Sequence, residues 1–237
     1  MSDEISGPVV ALTGAGVSAE SGVPTFRGQE GLWRTFRPQE LATPEAFRRD
    51  PELVWEWYDW RRQRIARCEP NAAHLTLAEM EATLSAFTLV TQNVDGLHQA
   101  AGSRRVLELH GSIWRVRCTA CDWVGEDHRV PLPQIPPRCP SCEGLLRPDV
   151  VWFGESLPED VQVAAWAAAA RSRWMLVIGT SALVYPAAAL PEIARRNGAR
   201  LLESNISPTP LTPLADEVLR GPAGDELPRW WSKHRPA

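Results

Sequence analysis

A run of residues able to cross a bilayer is missing from this 237-residue chain. The alanine-rich stretch Val161–Arg171 is too short and too weakly apolar to span one. Positive charge in excess is missing too. The formal net charge is −4 and the pI about 5.8. A nucleic-acid-binding chain shows a clustered basic footprint, so no nucleic-acid partner is expected. No basic leader opens the chain, because Met1-Ser2-Asp3-Glu4 is acidic where a signal peptide is positive. A cytoplasmic protein without a membrane segment is the expectation. No internal repeat or low-complexity tract occurs, and no exposed interface is readable, so a monomer is expected. Cysteine is sparse, with five in the chain. A reducing compartment disfavours disulfides and points four of them toward a metal.

What is present is an ordinary globular composition, 44% apolar and 23% charged. The length suits one or two domains. Val9–Thr13 reads as a buried strand running into Gly14-Ala15-Gly16, with a helix opening at Ser18–Glu20. Helical patterning covers Pro44–Arg49 and Glu52–Arg67, and Asn71 caps a helix through Leu84. Phe87–Thr91 and Val106–Leu109 are strands, with a short helix at Gly96–Ala101 between them. Residues 115–147 are turn-rich and Val150–Phe153 extended. A helix at Glu159–Arg171, a strand at Trp174–Gly179, a helix at Ala187–Asn197, a last strand at Arg200–Glu203 and a final helix at Leu214–Arg220 follow. The alternation predicts an α/β fold with a Rossmann-like parallel sheet and helices on both faces. The helical stretch 31–70 and the cysteine stretch interrupt it, and side by side they would form a smaller domain. A ligand would bind in the crevice at the strands' carboxyl ends.

Gly14-x-Gly16-x-x-Ala19 fits a fingerprint whose glycines let backbone approach a pyrophosphate at a helix N-terminus. The same spacing fits a tight strand–helix turn, and the helical insertion displaces the strand that should come next. Cys118-x-x-Cys121 and Cys139-x-x-Cys142 flank the seventeen residues 122–138, a zinc-ribbon spacing. Four thiolates close a tetrahedral zinc shell without an open position, which makes the metal structural. Two disulfides or ferredoxin-like iron are the rival readings. In "TQNVDGLH", Gln92, Asn93, Asp95 and His98 cluster where an α/β sheet places its ligand, or they form a polar turn with Asn and Asp as caps. In "LELHG", His110 follows a strand and is either a general base or a structural histidine. In "VWEWYDWRRQR", Val54, Trp57, Tyr58, Arg61 and Ile65 share one helix face. A buried guanidinium there needs an anion. Asp50, Glu56 or Glu69 could supply it internally, or a ligand carboxylate could.

Together "GAGVSAESGVPTFRG", "PNAAHLTLAEME", "TQNVDGLHQAAG", "LELHGS", the two CxxC pairs, "LRPDVVWFGE" and "GTSALVYPAA" resemble the sirtuins, the NAD-dependent protein-lysine deacylases, from residue 9 to about 223. The resemblance implies a Rossmann-like domain of residues 1–30, 76–113 and 150–237. It implies a helical module of residues 31–75 and a zinc-binding module of residues 114–149. NAD would be the co-substrate and zinc a structural ion. Gly14, Ala15, Gly16 and Ser18 would line the diphosphate, with Ala19 also in the cofactor site. Phe26 and Arg27 would sit in the loop over the nicotinamide end, and Trp33 would join the cofactor site. Gln92 and Asn93 would lie at the nicotinamide ribose and Asp95 at the carboxamide. Gly179, Thr180, Ser181, Asn205 and Ala223 would take the adenosine side. Val151, Trp152, Phe153 and Gly154 would pair with an acyl-lysine peptide through backbone.

The implied reaction has the acyl oxygen attack the ribose carbon that nicotinamide leaves. His110, with Asn93 and Asp95, is the catalytic set. The products are deacylated lysine, nicotinamide and 2′-O-acyl-ADP-ribose. Tyr58-x-x-Arg61 is similar to the mark of the class III, desuccinylase-like sirtuins, where the pair holds the distal carboxylate of the acyl chain. "FRGQEGLW" and "LATPEAF" are similar to that class as well. One departure stands out: "ESNISPTP" keeps Asn205 but has no acidic residue soon after it. A plain deacetylase, a mono-ADP-ribosyltransferase and a non-enzymatic NAD-binding zinc scaffold are the alternative functions.

Overall fold

In the computed structural model, residues 4–25 and 37–236 are described. Six strands of the described residues make the main sheet, the central ones apolar runs buried on both faces. These are β1 (Val9–Thr13), β2 (Phe87–Thr91), β3 (Val106–Glu108), β7 (Trp174–Ile178), β8 (Arg200–Asn205) and β9 (Glu217–Arg220). They pair in parallel in the order β3-β2-β1-β7-β8-β9. The winding reverses between β1 and β7, the place where an open parallel sheet leaves a crevice beyond its carboxyl ends.

Successive residues of a strand face opposite ways, so each strand feeds two cores. Val9, Ala11, Leu89 and Leu176 pack on α4 (Ala72–Thr83) and α8 (Ala223–His234). Val10, Leu12, Val90 and Met175 pack on α6 (Glu159–Arg171) and α7 (Leu190–Arg196). A third core joins α1 (Pro38–Leu41), α2 (Pro44–Arg49) and α3 (Pro51–Ile65) to an antiparallel sheet in the order β5-β4-β6. Its strands are β4 (Gly111–Cys118), β5 (Val124–Glu126) and β6 (Leu146–Val150). Thr43 caps α2, Asp50 caps α3 and Asn71 caps α4, each accepting a backbone N–H of its helix's first turn. Three polar bonds hold α3 against the cysteine-bearing stretch. Trp55 Nε1 donates to Leu146 O at 2.7 Å, Arg62 Nε to Ile113 O at 2.8 Å, and Leu132 N to the Asp59 carboxylate at 2.8 Å.

Three sequence expectations are corrected. Residues 217–220 form the edge strand β9, not a final helix, and β8 runs on to Asn205. The last helix is α8, which admits Pro228 in its second turn and buries Leu227, Trp230 and Trp231. The stretch 115–147 is turn-rich, as expected, and is bracketed by β4 and β6, while extended pairing ends at Val150, short of Phe153. Of the chain's cationic side chains apart from histidine, Lys233 is the one lysine, exposed near the end of α8; the rest are arginines.

Candidate active site

A cavity of about 610 Å³ opens at the carboxyl ends of β1 and β7 and runs to α3 and residues 150–155. Gly14, Ala15, Gly16 and Ala19, in the turn leaving β1, line it together with Gly179, Thr180 and Ser181 after β7. The two loops touch through backbone. Gly14 N donates to Ile178 O at 3.1 Å and Gly16 N to Gly179 O at 2.8 Å. A Cβ on Gly16 would stand 2.7 Å from Gly179 O, and one on Gly179, whose φ is +59°, would stand 2.3 Å from Val17 N. Side chains are excluded from this contact on both sides, which leaves bare backbone facing the cavity.

Polar side chains brace the same end. Gln92 Nε2 donates to Thr180 Oγ1 at 2.9 Å, and Asn205 Nδ2 to Thr180 O at 2.8 Å. Ala223 lines the far edge as the first residue of α8, and the carboxylate of Glu20 accepts Gly224 N at 2.7 Å beside it.

His110 stands between β3 and β4 and lines the cavity. Its Nδ1 lies 2.9 Å from Gln92 O. A carbonyl accepts only, so Nδ1 carries the proton and Nε2 keeps a lone pair. Burial lowers its pKa from 6.5, against the opposing effect of the Gln92 bond. The neutral ring is therefore the resting form at neutral pH. Gly111, at φ +74°, lets β4 pass where a Cβ would stand 2.1 Å from Asp149 O. Val151 N donates to His110 O at 2.9 Å, which fixes the backbone of both residues.

A buried polar cluster lies behind the cavity wall. Ser18 Oγ donates to Asp95 Oδ2 at 2.8 Å and accepts from Asn93 Nδ2 at 3.1 Å. His74 Nε2 is 3.3 Å from the same hydroxyl, and His74 Nδ1 accepts Asn71 N. Asn93 lines the cavity, while Ser18 and Asp95 stand one layer deeper. Burial pushes the Asp95 carboxyl up, with the Leu97 and Ser18 bonds and the Arg61 charge opposing. His98 is the second residue of the short helix α5 (Leu97–Ala100), and its Nε2 lies 2.9 Å from Thr13 Oγ1.

At the opposite end, Tyr58 and Arg61 of α3 line the cavity with Val151, Trp152, Phe153 and Gly154. Tyr58 is 2% and Arg61 7% exposed. The Arg61 guanidinium carbon lies 4.9 Å from the Trp57 ring centroid and 5.6 Å from that of Tyr58. Asp50 caps α3, Glu56 and Glu69 are exposed, and the Asp95 carboxylate acts electrostatically on Arg61.

The four cysteines Cys118, Cys121, Cys139 and Cys142 bring their sulfurs within 4.8 Å of one another. Cys118 to Cys142 is 3.5 Å and Cys121 to Cys139 is 3.7 Å. A disulfide would need about 2.05 Å. Sulfurs about 2.3 Å from a tetrahedral ion lie about 3.8 Å apart. The set is positioned to bind a structural zinc. Ala120 N donates to the Cys118 sulfur, which holds that thiol below its usual range, and Ser141 N donates to the Cys139 sulfur.

Phe26, Arg27 and Trp33 lie outside the described residues. Sequence reasoning missed Glu20, Tyr185, Ile206, Thr209 and Pro222, all of which line the cavity. Tyr185 and Ile206 are each 71% exposed, so no burial pattern marked them. His74 had a usable signal, since it stands at the third helical position after the Asn71 cap, where a capping box places its second partner.

A model of the Sir2 family matches residues 14–186. An NAD-dependent protein deacylase from Aquifex aeolicus (strain VF5) is 58% identical over 208 residues, covering 88% of this chain and 87% of its own. A solved Sir2 homologue–NAD complex is 53% identical with a TM-score of 0.87, over 95% of this chain and 89% of that one. Sir2 solved with a deacetylated p53 peptide and 3′-O-acetyl ADP-ribose is 33% identical with a TM-score of 0.86, over 95% and 92%.

Proposed function

This chain belongs to the Sir2 family of NAD-dependent protein deacylases, and we propose that it prefers lysine acyl groups ending in a carboxylate, succinyl and malonyl above acetyl. One observation carries the preference: Tyr58, Arg61 and His110 line a single cavity. An acyl-lysine that presents its carbonyl near His110 would reach its chain tip toward the guanidinium and phenol. A planar guanidinium and a phenolic O–H suit a carboxylate. An uncharged acetyl group leaves them without that partner, which costs affinity in the transition state.

The Gly14–Gly16 backbone would hold the diphosphate. Gln92 and Asn93 would hold the nicotinamide ribose, and Asp95, supported by Ser18, the carboxamide. Gly179, Thr180, Ser181, Asn205 and Ala223 would hold the adenosine end. Bound NAD supplies a ribose carbon that releases nicotinamide and receives the acyl oxygen. His110 Nε2 is the base that takes a proton from a ribose hydroxyl, and the Gln92 carbonyl holds its tautomer. Val151 to Gly154 would lie beside the peptide. The zinc site has no open ligand position and supports β4 and β6 rather than the reaction.

The test is nicotinamide release, followed by mass spectrometry, with acetyl-, succinyl- and unmodified peptides. Succinyl-lysine should give the higher kcat/KM, and Arg61→Met should abolish the difference. An unchanged succinyl preference in Arg61→Met would refute the pocket assignment. His110→Ala should keep zinc and fold but lose turnover. Release with unmodified peptide alone would favour ADP-ribosyl transfer instead.

A further inference from the structure

We propose that Arg147, which does not line the cavity, sets acyl selectivity by locking Trp152 so that its indole N–H occupies the Tyr58 oxygen and leaves the phenolic proton for the acyl carboxylate. The inference rests on the carboxylate reading above and adds the residues that arm it.

Chemistry fixes the direction of the central bond. Trp152 Nε1 and Tyr58 Oη are 2.9 Å apart and buried. An indole N–H donates and never accepts. Tyr58 must therefore be the acceptor, and its own proton points elsewhere. No acceptor among the described residues takes that proton, and Tyr58 borders the cavity beside Arg61. The pair then turns its donors toward the cavity, which matches a carboxylate and mismatches a methyl group.

The indole is held from behind. The Arg147 guanidinium carbon lies 3.3 Å from the Trp152 ring centroid. Its NH1 and NH2 donate to the two Glu155 oxygens at 2.6 and 2.9 Å, and NH2 also to Val150 O at 2.9 Å. Glu155 Oε2 accepts the Trp152 backbone N–H at 2.8 Å. Arg147 is 8% exposed. Burial alone would raise the Glu155 carboxyl, yet the Arg147 and Trp152 bonds and the Arg117 charge hold it below its usual range. The clamp is thus ionised and closed at neutral pH. Arg147 belongs to β6, directly after the cysteine stretch, so the zinc module reaches the acyl pocket through one stacked side chain.

Two variants test this, Trp152→Phe, which keeps an aromatic ring and deletes the indole N–H, and Arg147→Met. Each should lower the succinyl-to-acetyl ratio of kcat/KM roughly tenfold, the weight of one charge-assisted hydrogen bond, mainly through KM for the succinyl peptide. Tyr58→Phe should lower it similarly, and adding Trp152→Phe to Tyr58→Phe should lower it no further. Arg147→Lys should fail to restore it, because an ammonium neither stacks nor forks. A parallel fall for both acyl groups would mean a merely structural role and overturn the proposal. An unmoved ratio in Trp152→Phe, with a fall in Arg61→Met, would overturn it while leaving the carboxylate reading intact. A readout without substrate separates the two further. The chain has two tyrosines, so ¹³Cζ-tyrosine labelling gives two resonances, assigned with Tyr185→Phe. Trp152→Phe and Arg147→Met should each shift the Tyr58 signal and leave that of Tyr185. A Tyr58 signal unmoved by either variant would refute the relay whatever the acyl preference proves to be.

Discussion

His110 keeps one ring nitrogen on the Gln92 carbonyl and the other open to the cavity. Its pKa lies below 6.5 because burial disfavours the imidazolium. A base must be neutral to act, so activity should persist as pH falls through 6.5 and decline only below it. A kcat/KM profile with its acid limb centred above 6.5 would contradict this. At this scale the sequence was partly legible. Glycines, cysteines and "LELHG" carry fixed spacing, and spacing survives without coordinates. Tyr58 and Arg61 were legible as an odd pair on an apolar face. The Trp152–Tyr58 bond was not, because residues 94 positions apart meet only once β6 packs on α3.

The two loops after β1 and β7 meet at Gly16 and Gly179 with no space for a methyl group. Gly179→Ala adds left-handed strain of about 1–2 kcal/mol to a backbone collision. It should lower the melting temperature and weaken NAD binding more than tenfold, read by calorimetric titration, on the order of 1.4 kcal/mol or more. Zinc removal acts on a different element. A chelator that strips the ion should expose Trp114 and Trp123, which pack on the core shared by α3 and β4–β6, while the parallel sheet persists. Tryptophan fluorescence against far-UV dichroism distinguishes the two, and simultaneous loss of both signals would count against it. Strands β1, β2 and β7 were readable because burial on both faces makes them continuous apolar runs. The edge strand β9 was misread because Glu217–Arg220 alternates half-buried and exposed residues, and its short pattern admits a helix. α8 was missed because Pro222 and Pro228 look like breakers, although Pro222 precedes the first turn and Pro228 is tolerated in the second.

Across the whole molecule, two buried histidines link stability to pH. Burial lowers His74 to about 4 and His98 to about 3, the latter also through its neighbour His74. In the unfolded chain both titrate near 6.5. Between these values the unfolded state binds more protons, so stability rises with pH there. It should be fully present above 6.5 and be lost as pH falls toward 4. Urea midpoints measured across that range should drop, and a His98→Asn chain should show a shallower slope. A flat profile would mean that neither ring stays neutral in the fold. The alternation of strands and helices made the parallel sheet legible from the chain alone. The reversal between β1 and β7 was not, since strand order depends on which helices cover which face.

Lys233, the lone lysine at the end of α8, gives this surface an uncommon chemical quiet. Among the described residues, ion pairs other than His128 with Glu126 are made by guanidinium groups, which acylating reagents leave alone at neutral pH. A protein placed in a family that strips acyl groups from lysine thus offers little of that group itself. Succinic anhydride should add to two amines at most, Lys233 and the chain's α-amino group, as counted by intact mass. Any further amide-linked acyl mark in a reaction mixture then belongs to the substrate and not to this chain.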